Sequence, residues 1–146
     1  MKTIKKSIEI NTPAGQVWDV LFQEKYSKIW YNEFSPGTYA ETDWKLGSKV
    51  IFKNENGDGM VGKIVANTPN EILSIEFDGM VNKNIEDYES DDAKTTKGTH
   101  ETYKLSTKGD TTLLNIEADM VEEYFDSMST MWDNALQKIK ELAEAK

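Results

Sequence analysis

The chain has 146 residues, of which 38% are hydrophobic and 29% charged, and its 17 basic and 26 acidic residues give a formal net charge of −9. This length predicts one domain spanning residues 1–146, and the composition is typical of a soluble globular protein. The acidic excess argues against partners such as nucleic acid or an anionic lipid surface, because both attract a positive surface.

Cysteines and long apolar runs are missing from the sequence. Without cysteine, disulfides, thiolate catalysis and thiolate-bound zinc are excluded. No apolar run reaches the ~18 residues that indicate a bilayer-crossing helix. The opening MKTIKKSIEI has lysines but not the apolar segment of a secretory signal. We therefore expect a cytoplasmic protein with no membrane insertion.

A strand and a short helix are predicted first. Ile8 and Ile10 alternate with polar residues near the end of residues 2–11, which indicates a strand with one apolar face. Thr12 is a candidate N-cap for the helix that follows. Pro13 suits the first turn, where a missing N–H costs nothing.

A second short helix is predicted directly after the first. The first helix is expected to end near Gln23, and residues 24–31 continue with Tyr26, Ile29 and Trp30 at the spacing of one helical face. A Pro-Gly pair then predicts a turn, after which the chain changes to strands.

Antiparallel strands are predicted through the middle of the chain. Apolar and polar residues alternate there, between turns rich in Gly, Asn, Asp and Pro. The pattern predicts strands over residues 48–54, 60–67 and 71–79 and two more within residues 99–119.

The weakest and the strongest patterns lie in the second half. Residues 79–98 are the least periodic, and we expect a ragged strand through Val81 and Ile85 followed by a polar loop. From about Val121 to the end, apolar residues recur at helical spacing. This stripe comprises Phe125, Met128, Trp132, Ala135, Ile139 and Leu142.

The order of these elements predicts an α+β fold. A sheet with one apolar face needs a cover, and only the C-terminal helix is long enough to lie along it. We expect a curved antiparallel β-sheet wrapped around a long C-terminal α-helix, with two short helices after the first strand. The space between sheet and helix is a natural place for a cavity.

The same order resembles the START-like (SRPBCC) superfamily and its helix-grip fold. The matching pieces are IEINTPAGQVWDVLFQEKYSKIWY, WKLGSKVIFKN, THETYKLSTKGDTTLLNIEAD and MWDNALQKIKELAE, which cover nearly the whole chain. They hold Val17-Trp18 in a Pro-started helix, Trp30 closing the second helix and Leu46-Gly47 before a strand. The most similar branch is the activator of Hsp90 ATPase homologue-like group of small bacterial proteins.

The resemblance implies an internal pocket for an apolar or amphipathic ligand, and no family-wide catalytic motif comes with it. Rings near the second helix offer a binding wall at the mouth, and methionines of the last helix adapt to irregular ligands. Core packing is the competing interpretation for each side chain. The candidate ligand-binding residues are Trp30, Tyr31, Phe34, Phe52, Phe77, Glu101, Tyr103, Met128, Met131 and Trp132.

Glu101 and His100 are the candidates for acid–base chemistry. With Tyr103 and Leu105 pointing inward, strand alternation places Glu101 inward and His100 outward. A carboxylate facing an apolar cavity has a raised pKa and can act as acid, base or ligand partner. A register slip of one residue, or a place at the wet rim, would remove that role. His100, the only histidine, is expected to be a solvated surface residue.

The sequence contains no recognised metal, phosphate or hydrolase motif. EDYESDD lacks the spacing of a calcium loop, and GDGMVG precedes no helix with Lys-Ser/Thr. The Gly-x-Ser-x-Gly elbow of serine hydrolases is also missing. We therefore predict no catalytic set, no metal and no cofactor.

The leading hypothesis is non-enzymatic binding of a small apolar or amphipathic molecule between the sheet and the C-terminal helix. One alternative is a protein-interaction module of the chaperone-regulator kind, in which the acidic surface meets a protein partner. A second alternative is a cyclase- or hydratase-like enzyme that uses Glu101 or Tyr103.

Overall fold

The computed structural model describes residues 1–145 and has the predicted α+β helix-grip fold. A single 3₁₀ turn, Glu122–Tyr124, precedes the last helix. The strands are β1 (Lys2–Ile10), β2 (Tyr39–Glu41), β3 (Lys49–Lys53), β4 (Gly59–Thr68), β5 (Ile72–Asn82), β6 (Ile85–Asp87), β7 (His100–Lys108) and β8 (Thr111–Met120). The helices are α1 (Ala14–Phe22), α2 (Glu24–Tyr31), α3 (Asp91–Thr96) and α4 (Phe125–Glu144).

All eight strands belong to one antiparallel sheet. Its order is β1-β8-β7-β5-β4-β3-β2, and β6 pairs with β5 outside this path. The sequence predicted the longer strands and a ragged strand through Val81 and Ile85, which the structure divides into the end of β5 and β6. It missed β2, because three residues are too few to show an alternation. The long helix α4 packs against β1 and also contacts α1 and α2, so the two short helices close the sheet beside it.

The core lies between the inner face of the sheet and α4. One cross-strand row shows the face clearly, since Ile4, Ala118, Ile75 and Ile64 are each at most 3% exposed and occupy paired positions on β1, β8, β5 and β4. From α4 the buried side chains are Trp132, Ala135, Leu136, Ile139 and Ala143. The predicted apolar stripe is thus the buried side of α4, with Phe125, Met128 and Leu142 partly buried against it.

The start of α1 differs from the prediction. Pro13, not Thr12, is the N-cap residue, with φ −62° and ψ 153°, and no side chain caps the helix. The Thr12 hydroxyl instead donates to Oε1 of Gln16 at 2.7 Å. The predicted end is confirmed, because Gln23 is the C-cap and its N–H bonds the carbonyl of Asp19.

The buried face of α2 is also shifted relative to the prediction. Its buried residues are Ser27, Trp30 and Tyr31, whereas Ile29 is 43% exposed. A helix of eight residues can turn either of two overlapping faces inward, and contact with α4 and α1 selects the one with Trp30 and Tyr31.

Residues 79–98 are more ordered than their pattern suggested. β5 continues through Val81, the chain returns as β6, and α3 follows before β7. Ser90 caps α3, because its Oγ accepts from the N–H of Ala93 at 3.1 Å. None of the helices within residues 1–145 is long and apolar enough to cross a membrane.

Candidate ligand-binding site

Three rings from three different elements meet beneath α4. The centroid of Trp30 lies 6.4 Å from that of Tyr103 and 6.3 Å from that of Trp132, and the latter two are 6.1 Å apart. All three side chains are at most 2% exposed. We call these three residues the aromatic centre; Phe34 packs on its edge, 4.8 Å from Trp132.

A hydrogen bond fixes the ring of Trp30 in this position. Its Nε1 donates to the carbonyl of Val20 in α1 at 2.9 Å, which satisfies the indole N–H inside the core. The bond joins α2 to α1, the two helices between β1 and β2. Trp30 and Tyr31 of α2 lie on the inner face of the sheet.

An apolar groove opens beside the aromatic centre. Its floor is formed by Phe52, Met60 and Met80, which occupy directly paired positions on β3, β4 and β5. The cavity has a volume of about 300 Å³, at the lower end of the range for small-molecule sites. Its other lining residues, mostly polar, are Ser35, Thr38, Lys53, Asn54, Asp58, Gly59, Val81 and Asn82.

Glycine makes the close approach of β3 and β4 at this groove feasible. A Cβ added at Gly59 would lie 1.7 Å from the carbonyl oxygen of Phe52, so no other residue fits there without moving the hairpin. In the connecting turn, Oδ1 of Asn54 accepts from the N–H groups of Asn56 and Asp58. The turn therefore holds Phe52 and Met60 side by side.

Phe52 joins the groove to the interior. Its ring centroid lies 5.9 Å from that of Tyr31 and 6.2 Å from that of Phe77. Tyr31 in turn packs on Trp30 at 4.4 Å. The half-buried floor of the groove is thus continuous with the fully buried rings under α4.

Glu101 lies on the inner face, as the strand alternation predicted. It pairs with Ile75 on one side and Ala118 on the other, and so interrupts an otherwise apolar row with a carboxyl group. The hydroxyl of Tyr103 donates to its Oε2 at 2.6 Å. Burial raises the pKa of the Glu101 carboxyl, and the hydrogen bond from Tyr103 only partly opposes that rise.

Two tyrosine hydroxyls share this environment. Burial raises the pKa of both Tyr31 and Tyr103, and the nearby Glu101 carboxylate raises each further. A side-chain hydrogen bond with Ser27 acts in the opposite direction on the Tyr31 pKa. Both hydroxyls are therefore protonated at neutral pH, and that of Tyr103 donates its proton to Oε2 of Glu101.

His100 lies on the outer face, as predicted. Its Nε2 is 3.3 Å from Oε2 of Glu76, and its side chain is 43% exposed. Its backbone N–H donates to Oδ2 of Asp119. It shares no site with Glu101, because successive residues of a strand point to opposite faces.

The structure places the other candidates at different depths. Phe77 is buried in the main core, Met128 is half-buried and packs against that core, and Met131 is half-buried on α4. Of all the predicted lining residues, Phe52 borders the groove. Within the described residues, no cluster of acidic or histidine side chains is suited to hold a metal.

Sequence reasoning missed Met60 and Met80. Each stands beside a valine, Val61 or Val81, so two successive residues of the strand are apolar. The alternation therefore does not show which of the two side chains points inward. A β-bulge between Val61 and Gly62 also shifts the register there.

A protein-family model described as "Activator of Hsp90 ATPase homolog 1-like protein" matches residues 11–144. No curated protein matches the chain. Similar solved structures include protein MLL2253 from Mesorhizobium loti, with 15% identity and a TM-score of 0.78 over 99% of this chain and 98% of that one.

Two further structures are similar. The Aha1 dimer from Colwellia psychrerythraea has 18% identity and a TM-score of 0.74, over 99% of this chain and 97% of that one. CalU16 from Micromonospora echinospora has 18% identity and a TM-score of 0.67, over 97% of this chain and 75% of that one. At such identities the likeness concerns the fold alone.

Proposed function

The chain belongs to the family of activator of Hsp90 ATPase homolog 1-like proteins, and from that premise we propose that it binds a small apolar or amphipathic molecule without converting it. The observation that carries the proposal is the groove floored by Phe52, Met60 and Met80. These three half-buried side chains adjoin a face whose other rings are buried under α4.

The chemistry of the groove suits an amphipathic molecule. Methionine side chains adapt to ligands of irregular shape, and an aromatic ring adds apolar area with few rotors to immobilise. The polar rim, with Lys53, Asn54 and Asp58, can solvate the outer end of such a molecule. Tyr31 and Phe77 are the predicted residues best placed to meet its inner end, because both rings pack on Phe52.

A neutral apolar fluorophore tests the proposal. We expect N-phenyl-1-naphthylamine to bind saturably to the wild-type protein, with fluorescence that rises as the probe leaves water. Met60→Arg should abolish this signal, since a charged side chain in the groove floor removes apolar area and must itself be solvated. Val65→Arg is the matched control on the same strand, because Val65 is already 37% exposed.

The proposal fails if the wild-type protein shows no saturable fluorescence. It also fails if Met60→Arg and Val65→Arg bind the fluorophore with the same affinity as the wild type. Circular dichroism of both variants would establish that the fold is kept.

A protein-interaction role is a second candidate. Ile85 and Tyr88 are 70% and 44% exposed, and they stand among acidic residues around β6 and α3. An exposed apolar pair with an acidic surround suits a basic partner protein. Affinity capture at low salt should then recover a partner with the wild type and not with Ile85→Ser, and capture of nothing by the wild type would count against this role.

An enzymatic role of the cyclase or hydratase kind is a third candidate. The Glu101–Tyr103 hydrogen bond places a carboxyl of raised pKa beside a phenol in a largely apolar interior. Glu101→Gln should then keep binding of N-phenyl-1-naphthylamine but lose turnover of any substrate that the wild type converts. Equal turnover by both proteins would exclude a catalytic Glu101.

A further inference from the structure

We propose that Glu101 is an anchor for a cationic amine, so that the ligand of this protein is an apolar molecule carrying one ammonium group. This inference rests on the proposed function and specifies the chemical class of the ligand.

The setting of Glu101 is the first argument. In its cross-strand row the neighbours Ile4, Ala118, Ile75 and Ile64 are apolar and at most 3% exposed. A carboxylate in such a row costs free energy unless its oxygens find donors. Placing it there has no benefit for packing, which an apolar residue would serve better.

The unfilled hydrogen-bonding capacity of the carboxyl group is the second argument. A carboxylate offers about four lone-pair sites on two oxygens, and Tyr103 uses one of them on Oε2. In the described part of the chain, Glu101 takes part in no ion pair with lysine or histidine. Glu101 also retains part of its accessible surface, although it points to the inner face.

Ring contacts link the groove to the carboxyl group. Tyr31 packs 5.9 Å from Phe52 and 4.4 Å from Trp30. Trp30 packs 6.4 Å from Tyr103, whose hydroxyl donates to Glu101. The carboxyl group thus lies at the end of a row of rings that begins at the groove floor.

The rings around the carboxyl group favour a cation over a neutral donor. The faces of tyrosine and tryptophan attract ammonium groups, by about 0.5–2 kcal/mol for each contact in other proteins. An ammonium group also donates three hydrogen bonds and compensates the carboxylate charge, which a hydroxyl group does not do. A ligand carboxylate would instead meet a like charge.

The titratable groups that face Glu101 support this assignment. They are Tyr103 on its own strand and Tyr31 on α2, and both hydroxyls are protonated at neutral pH. The cross-strand neighbours Ile75 and Ala118 carry no charge. Within the described residues the carboxylate thus accepts one hydrogen bond, from the Tyr103 hydroxyl, and a bound cation supplies the missing positive charge.

Three probes of equal chain length test the inference by displacement of N-phenyl-1-naphthylamine at pH 7.5. We expect decylamine to displace the fluorophore at about one tenth of the concentration needed for decanol, and decanoate to be the weakest. In Glu101→Gln the advantage of decylamine over decanol should fall to about twofold or less.

One variant separates the role of the carboxylate from that of overall charge. Glu71→Gln, at an exposed position, removes the same charge as Glu101→Gln and should keep the preference for decylamine. A preference that persists in Glu101→Gln, or that is lost equally in Glu71→Gln, would overturn the inference.

The two proposals can fail separately. If the fluorophore binds but decanol or decanoate displaces it as well as decylamine does, or no probe displaces it, the amine anchor is wrong and the binding function stands. If the fluorophore itself does not bind, both proposals fail.

Discussion

The inner face of the sheet has two regions that differ in packing. Under α4, Trp30, Tyr103 and Trp132 contact one another and are at most 2% exposed. Along β3, β4 and β5, Phe52, Met60 and Met80 keep part of their surface accessible at the groove. The first region gains stability from complete burial, whereas the second keeps apolar surface that a ligand can cover.

The difference has a structural cause. The helix α4 packs against β1, and none of its described residues lines the groove. Shorter elements cover the far part of the sheet: α2 contacts β2, and α3 contacts β5, where the Thr96 hydroxyl donates to Sδ of Met80. Uncovered apolar surface there has no benefit for folding, which favours a role in binding.

The largest expected effect is that of Trp132→Ala in the aromatic centre. Removing a fully buried indole should lower the free energy of unfolding by about 3–5 kcal/mol, since it leaves a large cavity between Trp30 and Tyr103. Urea unfolding followed by circular dichroism measures this loss. A loss below about 1 kcal/mol would show that the centre is loosely packed, and the contrast between the two regions would disappear.

Met80→Ala in the groove should weaken ligand binding more than it lowers stability. Because Met80 is half-buried, we expect a loss of only about 1 kcal/mol in unfolding free energy. Its loss should weaken binding of N-phenyl-1-naphthylamine about tenfold, measured by fluorescence titration. Val65→Ala serves as the control and should change neither quantity appreciably. Unaltered binding in Met80→Ala would show that the ligand does not bind in the groove.

Glu101→Gln should stabilise the protein at neutral pH. Burial raises the pKa of the Glu101 carboxyl above its ordinary value of 4.5, so the folded protein prefers the protonated form. The resulting stability is full below about pH 4.5 and is lost as the pH rises through the folded-state pKa. The urea midpoint of Glu101→Gln should therefore exceed that of the wild type at pH 7.5, and the gap should shrink near pH 4. A variant less stable at pH 7.5 would show that the carboxylate is well solvated or paired.

His100→Gln should have the smallest effect. The pair between His100 and Glu76 is exposed to solvent, and such pairs contribute about 0–1 kcal/mol. We expect a change of about 0.5 kcal/mol or less in unfolding free energy and no change in binding of the fluorophore. A large change in binding would place part of the site on the outer face.

The order of the elements and the longest apolar patterns were sufficient to predict the fold. The stripe on α4 and the alternation around Tyr103 and Leu105 both agree with the buried residues. The inward position of Glu101 followed from the same alternation. These features could be predicted from the sequence because each has a period that repeats over several helical turns or several residue pairs of a strand.

The groove could not be predicted from the sequence in the same way. Its floor depends on which strands become neighbours and in what register, and a register shift between Val61 and Gly62 lies next to the pairing of Met60 with Met80. The face of α2 depended on contacts with α1 and α4, so Ile29, which its spacing groups with Tyr26 and Trp30, is exposed. Local patterns carry no information on such long-range choices.

The location of the ligand is the most direct test of this account. The four tryptophans give four indole N–H signals in a ¹H–¹⁵N NMR spectrum, each assignable by a Trp→Phe variant. On addition of N-phenyl-1-naphthylamine we expect the signals of Trp30 and Trp44 to shift most, because Trp30 packs on Tyr31 and Trp44 packs on Phe52. The signal of Trp18, which packs on Phe22, should shift least. If no signal shifts, or if Trp18 shifts as much as Trp30 and Trp44, the ligand does not occupy the groove and the central claim is wrong.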